Sequence, residues 1–461
     1  MKACVSIFVG IALLAFSGCG GSSSGTSSQQ GSSSKNEWKW DAGSDAANQS
    51  GVYGTQGTAA ASNTPGGRDG AVSWTDASGN FWLFGGTANP TQTTDNFLND
   101  LWKYSAGQWT WMGGSNDYNQ AGIYGTQGTG APANIPGARV SAVSWKDTSG
   151  NFWLFGGLGL DVNGSSEFLN DLWEYSAGQW TWVGGSSVGT PNQVGIYGTQ
   201  GTGAPGNIPG ARNLAMSWTD ASGNFWLFGG SGLDSTGTVG NLNDLWRYSA
   251  GEWAWMGGAN VANQPGTYGV QGTVAAGNTP GARFGAATWT DAAGNLWLFG
   301  GSSGTNTFAP LSDLWKYSAG QWTWMGGSQL PDQNGVYGTA GVAAAANTPG
   351  ARVLAATWTD AAGNLWLFGG DGYDSAGDVD ELNDVWKYSS GQWTWIAGSN
   401  IAGQEGTYGT LGSAAADNAP GGRSQAVGWT DASGNFWLFG GLGYDATDTL
   451  GQLNDLWTFE P

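Results

Sequence analysis

Histidine is absent from this chain, and cysteine occurs only as Cys4 and Cys19. Without imidazole there is no Ser–His or Cys–His nucleophile pair and no imidazole metal ligand. With both thiols near the N-terminus, no disulfide framework can staple the body of the protein. Cations are scarce too: 14 Lys and Arg stand against 34 Asp and Glu, a formal net charge of -20. A nucleic acid or an anionic lipid surface needs its phosphates neutralised, so neither is an expected partner. What the chain has instead is 84 Gly, 30 Trp and 13% aromatic residues. Aromatic content at that level supplies enough apolar surface for folding and argues against disorder.

The opening stretch "MKACVSIFVGIALLAFSGC" carries one basic residue, Lys2, then an apolar run from Val5 to Phe16 and small residues. That pattern reads as a signal peptide over residues 1–18, too short to span a bilayer. The segment "AFSGC" resembles a bacterial lipobox, with Phe16 where the pattern usually has Leu. The resemblance implies cleavage before Cys19 and lipidation of its thiol. Gly20, rather than Asp, implies sorting to the outer membrane, facing the periplasm or the cell surface. Membrane contact is expected through that lipid alone. Residues 19–35 then read as a Gly/Ser tether, whose fifteen residues after the cysteine span roughly 20 Å.

From residue 36 the chain repeats itself. "PGAR" or "PGGR" recurs at Arg68, Arg139, Arg212, Arg283, Arg352 and Arg423, with spacings of 71, 73, 71, 69 and 71 residues. Each unit holds five tryptophans, as in Trp74, Trp82, Trp102, Trp109 and Trp111, and six such units account for all 30. That count closes only if Trp38 and Trp40, in the opening fragment "NEWKWDAGS", belong to the last unit. Each unit reads as four strands: one after the Arg, a doubly buried "NFWLFGG", "DLWKY", and an alternating "QWTWMGG". Short "DASG" and "SAG" turns separate the first from the second and the third from the fourth. The expected fold is therefore all-β: a six-bladed β-propeller of four-stranded antiparallel blades over residues 36–461. The N-terminal strand is expected to complete the last blade, which removes an open sheet edge at the seam.

The Gly-Gly doublet, "LND(L/V)W", the following Tyr and Trp, and the leading Arg resemble the kelch repeat, six times over Asn36 to Pro461. The resemblance implies a propeller broadly like the central domain of galactose oxidase. It does not extend to that enzyme's copper, which needs imidazole ligands. The chain departs from the pattern at Ala71, Ala142, Ala215, Ala286, Ala355 and Ala426, where kelch repeats carry His, and in its long links from strand four to the next strand one.

Candidate site residues fall into four sets. The six arginines match Asp100, Asp171, Asp244, Asp313, Asp384 and Asp455; they form either a bracing network or a cationic ring for an anionic ligand. Tyr53, Tyr124, Tyr197, Tyr268, Tyr337 and Tyr408 of the "GxYGT" links either pin the loop or face a ligand. The tryptophan pairs on strand four, such as Trp109 and Trp111, either pack against the next blade or form sugar platforms. The links after strand two vary most, and Asp161, Asp234, Asp374, Asp378 and Asp445 are expected near a ligand there. One of these links gathers Asp371, Asp374, Asp378, Asp380 and Glu381, in which Asp374, Asp378 and Asp380 could hold Ca²⁺. No other cofactor is expected, and no catalytic residue is assigned.

Length and variability place the binding face at the links after strands two and four. The expected function is that of an envelope-anchored, non-enzymatic binding or scaffold module, monomeric, with a protein or a glycan as partner. The alternatives are a carbohydrate-active enzyme, for which the plentiful carboxylates could supply an acid pair, and a multivalent lectin with one site per blade.

Overall fold

The computed structural model describes residues 35–88, 96–189, 193–304 and 307–461. The signal peptide, Cys19 and nearly all of the tether lie outside the described residues. Among the described residues there is no helix, and the strands form six antiparallel sheets. Blade one consists of Val72–Thr75, Phe81–Thr87, Phe97–Ser105 and Gln108–Gly113, paired in that order. The first strands of neighbouring blades touch all the way round, and blade six meets blade one again. The molecule is a six-bladed β-propeller.

Its closing blade is built from both ends of the chain. Trp38–Ala42 pairs antiparallel with Leu450–Phe459, setting Trp38 opposite Phe459 and Trp40 opposite Trp457. Trp38 is 3% exposed and wedges between Phe459 and Phe368 of blade five. The core repeats this way between all blades. Trp102 and its five counterparts are fully buried, and Trp109 leaves its own sheet to meet Phe439 of blade six at 5.3 Å.

The Gly-Gly doublet explains how the blades come so close. Gly440 and Gly441 have φ of 64° and 98°, and a Cβ on Gly440 would sit 2.9 Å from the Arg68 carbonyl of blade one. The Gly441 amide donates to that carbonyl at 2.9 Å. A larger residue would break both the bulge conformation and the interblade bond.

Two features differ from the sequence reading. The segment after strand two is largely strand, not loop: in blade two Phe152–Leu160 and Ser166–Ser176 run past the doublet as a long hairpin with a tight turn. Blades three, five and six carry the same arm. The sequence reads as a link because the bulge at the doublet breaks its alternation. The long links after strand four, meanwhile, do not simply crown the face. Each folds down along the outer strand of the blade it introduces, with Gly57 N–H donating to Trp111 O at 2.8 Å and Asn63 Nδ2 to Trp109 O at 3.2 Å. In blade six this contact becomes a two-residue strand, Ala414–Ala415, paired with Trp38 and Lys39. The links thus cover sheet edges that would otherwise offer unpaired backbone groups.

Candidate functional site

The residues repeated in every blade are occupied inside the protein. Arg68 donates to Asp100 through two parallel bonds of 2.7 and 2.8 Å, and to the Gly66 and Gly85 carbonyls. Asp100 also accepts from the Tyr53 hydroxyl at 2.8 Å and the Trp102 indole at 2.7 Å. The same ion pair recurs at Arg139–Asp171, Arg212–Asp244, Arg283–Asp313, Arg352–Asp384 and Arg423–Asp455. All six arginines are 0–2% exposed. Tyr124, Tyr197, Tyr268, Tyr337 and Tyr408 each donate to their blade's aspartate at 2.6–2.7 Å. Burial, and then the adjacent carboxylate, push these phenols far above their ordinary pKa. The arginines therefore make no ring at the channel mouth, and the tyrosine hydroxyls point into the blade framework. Trp111 is engaged likewise: its indole donates to Gly113 O and its ring packs edge-on to Tyr53.

Four of the five hairpin aspartates are also structural. Asp161 Oδ1 accepts from the amides of Asn163 and Ser165, and its Oδ2 accepts from Gly189 in the following link. Asp234, Asp374 and Asp445 do the same for their own turns, with the second oxygen on Ala262, Ala402 and Ala47. Burial acts to raise the pKa of Asp374, but these backbone donors outweigh it and hold the carboxyl below its usual range. Each aspartate shapes one hairpin turn and ties it to a link. Asp378 alone of the five is exposed at a hairpin tip. The proposed Ca²⁺ set is not brought together: Asp374 is engaged with amides, Asp380 accepts from Tyr444 at 2.9 Å, and among the described residues no three acid side chains converge on a metal position.

Two asymmetric regions remain; the sequence pointed to neither as a whole, although Asp371, Asp380 and Glu381 of the second were among the acids gathered for Ca²⁺. The first is the central channel. One end is closed by a cycle of backbone bonds: Gly70 donates to Gln425, Ser141 to Gly70, Leu214 to Ser141, Gly285 to Leu214, Leu354 to Gly285 and Gln425 to Leu354, at 2.7–3.2 Å. All six residues have φ between 51° and 65°. Below this diaphragm lies a chamber of about 440 Å³ walled by Ser, Thr and Trp of the first strands, with Lys146 as its one charged lining residue. Several hydroxyls donate to the neighbouring blade, as Ser144 does to Ser73 O and Thr357 to Thr288 O.

The second region is a layer between hairpin arms. At the boundary of blades one and two it is apolar, made of Phe97, Val140, Leu158 and Leu160. Around blade six the same layer is acidic. Glu381 lies opposite Asp371 across the hairpin of blade five and accepts from Ser424 of blade six at 3.0 Å. Asp69 of blade one accepts from Gln452 of blade six at 3.2 Å. Burial raises Asp69 and Asp371 to about 6; burial and then Asp371 raise Glu381 well above its usual value. Glu381 is 6% exposed and Asp69 5%, yet Glu381 Oε2, Asp69 Oδ1 and Gln452 Oε1 have no donor within the protein.

Charge is also divided between the two ends of the propeller. Apart from the six buried arginines, the described cations are Lys35, Lys39, Lys103, Lys146, Arg247, Lys316 and Lys387. Lys35 precedes the Asn36 amide, which donates to Glu460 O; Lys39 pairs with Thr458, and the remaining five sit beside the short turns. Apart from the buried, ion-paired arginines, the hairpin end carries acids and no described cation.

No family model and no curated protein sequence matches the chain. Among solved structures it is similar to YjhT, at 11% identity and a TM-score of 0.49, over 85% of this chain and 95% of that one. It is also similar to a fungal alcohol oxidase of the AA5 family solved with copper, at 12% identity and a TM-score of 0.46, over 90% of this chain and 77% of that one.

Proposed function

We propose that this protein is a non-enzymatic binding or scaffold module of kelch type, monomeric and held at the outer membrane by a lipid on Cys19, which recognises a protein or glycan through its hairpin end. The observation that carries this reading is the division of labour among polar residues. Those repeated in every blade are paired inside, whereas those exposed on the hairpin tips differ from blade to blade. Rigid scaffolds commonly carry recognition on such variable projections. The short-turn end offers "DASG" repeats, whose aspartates are bound to their own turns, as Asp76 is to the amides of Ser78 and Asn80.

Purified protein screened against arrayed glycans, arrayed peptides and chromogenic glycosides tests this function. Saturable binding without turnover supports a binding module. Turnover of any glycoside contradicts it, and a stoichiometry near six would replace it with a multivalent lectin.

A further inference from the structure

The acidic layer around blade six has an excess of acceptors that the protein does not fill. Asp69, Asp371, Asp380 and Glu381 bring four carboxyl groups to the two boundaries of one blade, with no cation among their partners. Three buried oxygens there, on Glu381, Asp69 and Gln452, receive no hydrogen bond. A buried acceptor left unpaired forfeits its hydration without a replacement, and more so when it is charged. The equivalent layer between blades one and two does without such groups, so the propeller does not need them for packing. A group that offers only donors together with positive charge suits such a layer, and ammonium and guanidinium groups are the protein groups of that kind.

The surroundings extend the same preference. Asp371, Asp380 and Tyr444 are half-buried and lead from Glu381 to the surface, where Asp45, Asp378, Glu405 and Asp448 are exposed nearby on the hairpin end. We infer that the acidic layer at the boundary of blades five and six, entered past Asp371, Asp380 and Tyr444, takes a lysine or arginine side chain of a basic polypeptide segment, whose further cations lie on the acidic hairpin end. This rests on the hairpin-end reading above and names its partner class. Because the groups facing Glu381 are Asp371, Asp380, Asp69, Ser424 and Tyr444, and none is basic, insertion of a cation favours the ionised carboxylates and releases protons.

The test is calorimetric titration of the full-length protein with decalysine at low salt, repeated in buffers of different ionisation enthalpy. Binding with net proton release near pH 6–7 is expected. The double variant Glu381→Gln, Asp371→Asn removes like charges without changing shape, so it is expected to fold and to bind at least tenfold more weakly without proton release. Glu252→Gln at the short-turn end is expected to bind as the parent does. Equal affinity of parent and double variant overturns the site at the acidic layer. If Asp378→Asn and Asp448→Asn still weaken binding in that case, the hairpin end stands and only the layer site falls; if Glu252→Gln alone weakens it, both fall. No binding of decalysine, or equal binding of spermidine at matched charge, overturns the polypeptide assignment.

Discussion

Trp38 lies opposite Phe459 in the closing blade with ring centroids 4.9 Å apart, so the propeller is shut by aromatic packing between its two chain ends. Trp38→Ala should lower stability by about 3–5 kcal/mol, the usual cost of truncating a buried tryptophan. Deleting residues 36–44 should cost more, because it also uncovers the edge of Leu450–Phe459. Equilibrium unfolding in urea measures both. An unchanged midpoint after the deletion contradicts closure by the N-terminal strand.

The buried ion pairs give a second expectation. Removing one partner leaves the other charge unpaired in the core, so Arg212→Met should destabilise by about 3–5 kcal/mol. The pair Arg212→Met, Asp244→Leu should recover part of that loss, since no orphaned carboxylate remains, and no more than part, because the Tyr197 hydroxyl and Trp246 indole lose their acceptor. A double-mutant cycle in urea checks this, and strict additivity would show that the two residues do not act as a pair.

Much of this was legible in the sequence, for reasons that are themselves structural. The spacing of the arginines and the assignment of Trp38 and Trp40 to the last unit fix the blade number and the closure, because a repeat can bury its apolar faces only against its neighbours. Asp161, Asp234, Asp374 and Asp445 stood out as acids in variable segments, but a carboxylate that caps a turn and one that meets a ligand look alike in sequence. The hairpin arms were hidden by the bulge at the Gly-Gly doublet. Asp371, Asp380 and Glu381 stood together as acids in the sequence, but the layer they form was hidden because it depends on which residue of blade six faces Glu381, a contact between two different repeats. The segregation of cations to one end could have been read, since Lys103, Lys146, Arg247, Lys316 and Lys387 each sit beside a short turn.

Stability should depend on pH through Asp69. Burial raises its carboxyl from 3.8 to about 6, so the native state holds this proton more tightly than the unfolded chain does. Its contribution is full below about pH 4, is lost as the pH rises through 6, and stays lost above. Asp69→Asn removes the titration and keeps an acceptor for Gln452. The variant should match its parent at pH 4 and exceed it at pH 8 by about 1–3 kcal/mol. Turn aspartates with lowered pKa values, such as Asp374 and Asp445, act with the opposite sign but cancel in this comparison. A difference that does not change with pH contradicts the assignment.

Anchoring has its own check. Cys19→Ser should shift the protein from the membrane fraction to the soluble fraction, and mass spectrometry of the mature parent should find an acylated N-terminal cysteine. Cleavage elsewhere, or an unmodified thiol, contradicts the lipid anchor.

The most direct test of the binding face is hydrogen–deuterium exchange on the intact protein, with and without a peptide or glycan that binds saturably in the arrays. The account predicts slowed exchange at the hairpin turns, residues 161–165, 234–238, 374–378 and 445–449, with the "DASG" and "SAG" turns unchanged. Protection confined to those short turns and the channel strands would place recognition at the opposite end of the propeller and contradict it.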